Sequence, residues 1–247
     1  MELVHAEIDT LLEIMDETDD YLVVNKPGNL VCHPTKGDAR SSLIGRLRLY
    51  FSDQPGVQPS LINRLDRETS GIVLIAKNPK THAMMQRAFQ QNQVQKIYHA
   101  IVHGVPSQSE GIVEKALGRD LNSIIKIKQI DRTDGSPSLT NWKQLRASAR
   151  FSLLEVRPQT GRLHQIRVHL ASIGHPIVGD KLYGPDPNLY LEFVRTGWTP
   201  NLQKQLLTPR QMLHASELMI RDQSSNQTRT WKAPMPADLQ DFLTQYI

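Results

Sequence analysis

NRLDRETSGIVLIAKN, residues 63–78, changes character halfway along. From Gly71 to Lys77 it is apolar almost throughout, which predicts a strand buried on both faces rather than a half-solvated one. The preceding residues place one carboxylate, Asp66, between Arg64 and Arg67, then run through Thr69 and Ser70 to Gly71. Flanking cations favour the ionised carboxylate and compensate a charge that has lost part of its water. Gly71 admits backbone contours that a side chain would block. On these residues alone, a surface ion pair at a strand start and a functional carboxylate both stay open.

The stretches around that strand predict few helices and many strands. Residues 11–28, LLEIMDETDDYLVVNKPG, read as two short strands around an acidic turn, stopped by Pro27-Gly28. Residues 41–51 carry apolar residues at helical spacing behind serine caps, and 79–91 form an amphipathic pattern with proline in the first turn. PSLIN (59–63), QKIYHAIVHG (95–104), SLTNWKQL (138–145), ARFSLLEVRP (149–158), QMLHASELMI (211–220) and TRTWKA (228–233) read as strands. Residues 105–137 are rich in Gly, Pro, Ser and Asp, with one strand expected near 124–130. GRLHQIRVHLASIG (161–174) reads as a helix with glycine at both ends, and 236–247 as a closing helix. Strands with scattered helices and no regular βαβ alternation predict an α+β fold with a mixed, mainly antiparallel sheet and flanking helices and loops. No linker is visible, so residues 1–247 are expected to form one domain behind a short acidic extension, 1–15.

The chain has 247 residues, 39% hydrophobic and 22% charged, as in a soluble globular protein. No apolar run approaches membrane-spanning length, and the acidic N-terminus lacks the basic start of a signal peptide. No membrane partner and a cytoplasmic location are the expectation. The single cysteine, Cys32, excludes an internal disulfide and a cysteine-based zinc site. Residues 1–20 hold eight acids and no Lys or Arg, so the remaining 227 residues carry 29 basic against 17 acidic side chains. That excess favours a polyanionic partner through counterion release, or else is a generally basic surface.

A second charged stretch, RPQTGRLHQIRVHLASIGHPIVGDKLYG (157–184), carries Arg157, Arg162, His164, Arg167, His169, His175 and Lys181 against Asp180 alone. On a helix starting near Gly161, Leu163, Ile166 and Leu170 would pack inward, while Arg162, Gln165 and His169 fall on another face. Donors at such a helix start suit phosphate or carboxylate capture, and a basic solvated helix is the plain alternative. His164 and His169 are five apart, off the spacing that would let them share a metal.

NKPGNLVCHP (25–34), NRLDRETSGIVLIAKN (63–78), QKIYHAIVHG (95–104) and the 157–184 stretch stand in an order and spacing that resemble the RluA family of RNA pseudouridine synthases. The likeness runs from about residue 16 to the C-terminus. It implies the α+β sheet core of that family and isomerisation of uridine in RNA: the N1–C1′ bond breaks, the uracil turns, and C5 is joined to C1′. It places the family's acid at Asp66, acting either by covalent addition or as a base on the ribose, without metal, nucleotide or redox cofactor. It implies that Tyr98 stacks on the uracil and helps move the C5 proton, and that Arg167 holds the carboxylate oriented and charged. Arg64 matches an arginine that fills the gap left by the everted nucleotide. Arg67, Arg162 and His164 are expected to contact RNA, and Ile166 and Ile72 to line the uracil.

Asn63 stands where many members carry His, which removes a titrating group but keeps hydrogen bonding. Many relatives carry an S4-type RNA-binding domain ahead of the catalytic one, whereas about 15 acidic residues precede it here. The resemblance therefore implies a compact member acting on rRNA or tRNA stem-loops, with monomer as the default state. Two other readings stand beside it. One is a catalytically silent RNA-binding or assembly factor on the same fold, which would have no need to keep Asp66, Tyr98 and Arg167 together. The other is a glycosidase, which needs a second carboxylate, for which only Glu68 and Asp180 are at hand.

Overall fold

The structure is a computed structural model and describes residues 12–34, 39–91, 93–221 and 228–247. In chain order these form β1 (Glu13–Glu17), β2 (Tyr21–Lys26), α1 (Leu43–Tyr50), β3 (Ser60–Leu61), β4 (Ser70–Ala76), α2 (Pro79–Gln90) and β5 (Val94–His103). There follow β6 (Glu110–Glu114), β7 (Leu117–Arg119), β8 (Gln129–Asp131), β9 (Leu139–Ala147), β10 (Phe151–Pro158) and α3 (Gln165–Ser172). The last elements are α4 (Asn188–Thr196), α5 (Pro200–Leu206), β11 (Leu213–Arg221), β12 (Thr228–Lys232) and α6 (Ala237–Tyr246). They divide into two compact units. The first takes residues up to Gln95 and Ala215–Pro234, the second Lys96–His214 and Met235–Ile247.

In the first unit the predicted doubly buried strand is β4, with every residue from Ser70 to Ala76 buried. It pairs antiparallel with β2, which forms a hairpin with β1, and also with β3. The β11 segment from Ala215 onward lies beside β4 and pairs antiparallel with β12. Gly71 has φ +114, and a Cβ there would stand 2.2 Å from the Ala215 carbonyl oxygen, so the close approach of the two strands requires glycine. The core gathers Tyr21, Val23, Ile72, Leu74, Leu218 and Trp231. The polar edges of its two large aromatics are satisfied, because Trp231 Nε1 and Tyr21 Oη both donate to Asp16, at 2.7 and 3.0 Å. Both helices start where their caps predict: Ser42 accepts from the Gly45 N–H, and Asn78 from the Thr81 N–H with Pro79 in the first turn.

The second unit is built on the strand order β5-β10-β9-β6, antiparallel throughout. Its core packs Ile101, Phe151, Leu154, Ile166, Leu170 and Phe242. Three local expectations need correction here. Residues 105–137 hold three strands, with the β7-β8 hairpin ending in a strand at 129–131 rather than one strand over 124–130. Ile124 is 78% exposed, so its apolar run meets no partner face. The helix expected from Gly161 begins only at Gln165, because His164 takes a left-handed conformation, φ 56, and breaks the first turn. Finally, α4 and α5 were absent from the expectation. They pack on their own small cluster of Leu189, Leu202 and Leu206 with Phe193 and Trp198, and Gly197 at φ 74 separates them. Among the described residues no helix is long and apolar enough to cross a membrane.

Candidate active site

In the first unit, the turn carrying Asp66 is pinned at alternate residues. The Asn63 side chain donates to the Ile72 carbonyl at 3.1 Å and accepts the Leu74 N–H at 2.8 Å, fastening the turn's start to β4. Cys32 Sγ meets both the N–H and the carbonyl of Leu65 at 3.4 Å. Lys26, wholly buried, donates through Nζ to the carbonyls of Pro27 (2.8 Å), Leu30 (2.9 Å) and Arg67 (3.2 Å). A buried ammonium without acceptors would cost several kcal/mol, on the order of the penalty for an unpaired buried ion, so these carbonyls and the lysine fix one another. The Thr69 N–H closes the turn on the Asp66 carbonyl at 3.2 Å. Between the anchored residues, Arg64 is exposed and Asp66 half-buried, while Arg67 presents an exposed side chain on an anchored backbone. Burial, then the charges of Arg64 and Arg48, holds the His33 imidazole below its usual pKa, which places His33 within the field of Arg64.

In the second unit, α3 is buried along Gln165–Leu170, so of the donors expected away from the packed side, Gln165 and His169 are buried and Arg162 is exposed. Gln165 accepts from the Arg162 N–H (3.0 Å) and the Thr160 hydroxyl (2.7 Å) and donates to the Leu139 carbonyl (3.0 Å), tying the 160–162 segment to β9. His169 is fully buried among Ser138, Thr140 and the Lys115 carbonyl. Leu163, expected to pack inward, is 50% exposed. Arg167 donates through Nε to Asp180 Oδ2 at 2.7 Å and through Nη2 to Oδ1 at 2.9 Å. Burial alone would raise the Asp180 carboxyl, but the Arg167 charge and hydrogen bonds and the N–H groups of Tyr183 and Leu182 hold it below the usual carboxylate range. Tyr183 lies on Arg167, with Cζ 4.9 Å from the ring centroid, and its hydroxyl meets His164 Nδ1 at 2.7 Å. Tyr98, on β5 opposite Val156, is partly buried against the core.

The model of the RNA pseudouridylate synthase family matches residues 20–172, well over half of the chain. An uncharacterized RNA pseudouridine synthase of Chloroflexus aurantiacus is 35% identical over 90% of this chain and 65% of its own length. The ribosomal large subunit pseudouridine synthase D of Nitrosomonas europaea is 34% identical over 94% of this chain and 64% of its own length. The chain belongs to the RNA pseudouridylate synthase family. Its fold agrees: the solved structure of human RNA pseudouridylate synthase domain containing 1 superposes with a TM-score of 0.69, covering 92% of this chain and 86% of that one at 27% identity. The chain spans just under two thirds of the length of the two bacterial synthases.

Of the residues expected to form the site, Asp66, Arg64, Arg67 and Ile72 lie in the first unit and Tyr98, Arg162, His164, Ile166 and Arg167 in the second. Ile72 and Ile166 are 1% and 7% exposed and belong to the two cores. Arg162 is exposed, and its Nε reaches the Pro137 carbonyl at 3.3 Å. Sequence reasoning missed Lys26, the partnership of Cys32 with Leu65, and Asp180 with Tyr183. A signal existed for Lys26: a lysine that closes a fully apolar strand and precedes Pro-Gly has no solvated face to occupy. Asp180 had none, since its partner lies thirteen residues away across a turn. Committed to Arg167 and to two backbone N–H groups, Asp180 is unsuited to the second-carboxylate role a glycosidase needs.

Proposed function

We propose that the chain converts specific uridines of structured RNA, in rRNA or tRNA stem-loops, to pseudouridine, with residues 1–247 serving as one monomeric, cytoplasmic catalytic domain behind a short acidic extension, 1–15. The observation that carries this reading is the Asp66 turn. Its backbone is held by Asn63, Cys32 and Lys26 and closed by the Thr69 N–H, with Asp66 half-buried and Arg64 exposed on it. A carboxylate on a pre-organised turn suits covalent or base catalysis, since little order remains to be imposed when the nucleotide arrives. In this reading Asp66 attacks the base or takes a ribose proton while the N1–C1′ bond breaks. The uracil turns, C5 bonds to C1′, and the C5 proton leaves, with Tyr98 stacking on the ring and assisting that transfer. Arg167 supplies the buried guanidinium of the reaction. Arg64, exposed and planar, stacks in the gap left by the everted base and offsets part of the few kcal/mol, roughly, that extrusion costs. Arg67, Arg162 and His164 contact the RNA backbone, and Ile72 and Ile166 give apolar backing. No step calls for a cofactor or metal.

The test uses RNA from cells lacking the gene, labelled with tritium at uracil C5. The 247-residue chain should release tritium to solvent, and Asp66→Asn should release none above background while binding the same RNA within about 3-fold. Tritium release by Asp66→Asn at the normal rate would remove Asp66 from the chemistry. RNA binding without release by the unaltered chain would favour the silent factor.

A further inference from the structure

We propose that Asp180 is a positioning residue for Arg167, and that Tyr183 is the second wall of the same clamp. This deepens the function proposed above and rests on the role given there to Arg167. The Asp180 carboxylate is fully buried and cannot swing, because its Oδ1 already accepts the N–H groups of Leu182 at 2.9 Å and Tyr183 at 3.0 Å. With the acceptor fixed by its own turn, the guanidinium must conform to it. The Nε–Oδ2 and Nη2–Oδ1 bonds, 2.7 and 2.9 Å, run in parallel and define the guanidinium plane as one hydrogen bond could not. Tyr183 covers a face of that plane, and its ring is itself tethered where its hydroxyl accepts the Gln129 N–H at 2.9 Å and meets His164. Arg167 is 8% exposed, so a lysine there would have the charge but not the two-pronged fit. Asp180 thus sets the orientation in which Arg167 meets the reaction without touching substrate.

The experiment is a double-mutant cycle in single-turnover tritium release from C5-labelled RNA of cells lacking the gene, with RNA dissociation constants and thermal melting measured in parallel. Asp180→Asn keeps Oδ1 for the backbone N–H groups but sets an amide N–H against Arg167 Nε. Arg167→Lys should slow the step by about 100-fold and Asp180→Asn by about 30-fold, each with RNA binding changed by less than about 3-fold. The double variant should be no slower than Arg167→Lys within about 3-fold, because the second change removes something already lost. If the two losses multiply, or if Asp180→Asn is as fast as the unaltered chain while Arg167→Lys is slow, the positioning role is wrong and the role of Arg167 stands. If Arg167→Lys itself reacts at the normal rate, the role given to Arg167 fails, and this inference with it. Should Asp180→Asn not fold, Tyr183→Leu replaces it in the cycle. It should lose about 5-fold alone and nothing further beside Arg167→Lys, and a multiplied loss again overturns the inference.

Discussion

The Asp66 turn and the Arg167 cluster hold their functional groups by opposite means. Around Asp66, side chains grip backbone: Asn63 holds Ile72 and Leu74, Cys32 holds Leu65, and Lys26 holds the carbonyl of Arg67. These contacts fix the path of the backbone that carries the carboxylate. Around Arg167, side chains grip a side chain: Asp180 and Tyr183 fix the guanidinium directly. A backbone grip tolerates exchange of the projecting residues and fails when an anchor goes. A side-chain grip fails as soon as either partner changes.

Lys26→Met should break the first arrangement most severely. It leaves three carbonyls, that of Leu30 buried, without their donor, so we expect about 2–4 kcal/mol of lost stability and at least about a 100-fold loss of turnover. Urea unfolding and tritium release measure both. A stable, active variant would mean the turn holds its shape without the lysine. Arg64→Ala, by contrast, removes a projecting residue and should leave the melting temperature unchanged. It should lower turnover about 10-fold on a stem-loop uridine and markedly less on an already unpaired one. Equal losses on both RNAs would contradict stacking in the vacated gap.

Acid should weaken the second unit. Burial holds His169 and His103, both in the second unit, below the usual imidazole pKa. The unfolded chain takes up protons near the ordinary value of about 6.5 while these folded groups do not, so stability falls as pH drops through about 6.5 toward their lowered folded values. Corrected for intrinsic exchange, amide protection in α3 should fall between about pH 7.5 and about pH 5.5, and His169→Gln should reduce the change. Unchanged protection across that range would show that the buried imidazoles titrate as they do in the unfolded chain. The smallest effect is expected at Cys32. Cys32→Val keeps the packing and loses only long sulfur contacts, for about 1 kcal/mol or less by urea unfolding. A loss several times larger would make the thiol a principal anchor.

The same contrast governs what could be read from the amino-acid sequence. The first unit is written in local patterns: an unbroken apolar run became β4, and serine and asparagine caps set the starts of α1 and α2. Asp66 stood out through its neighbours in the chain. In the second unit local patterns misled. The 161–174 stretch has a plausible amphipathic spacing, yet Gln165 and His169 spend their donors on buried partners, and His164 adopts a conformation that propensity disfavours. Those outcomes depend on β9 and on the turn at Asp180, whose proximity no periodicity encodes. The hairpin at 117–131 and the pair α4 and α5 also make contacts outside their own stretches, the first with the Tyr183 hydroxyl and the second with Lys181, which lies over the Phe193 and Trp198 rings.

The central claim is that Asp66 makes pseudouridine in RNA. Its most direct test is to map pseudouridine at nucleotide resolution in total RNA from cells lacking the gene, complemented with either the unaltered chain or Asp66→Asn. The account predicts one or more rRNA or tRNA uridines modified with the unaltered chain and unmodified with Asp66→Asn, at equal protein levels. Modification of the same uridines by Asp66→Asn would contradict it.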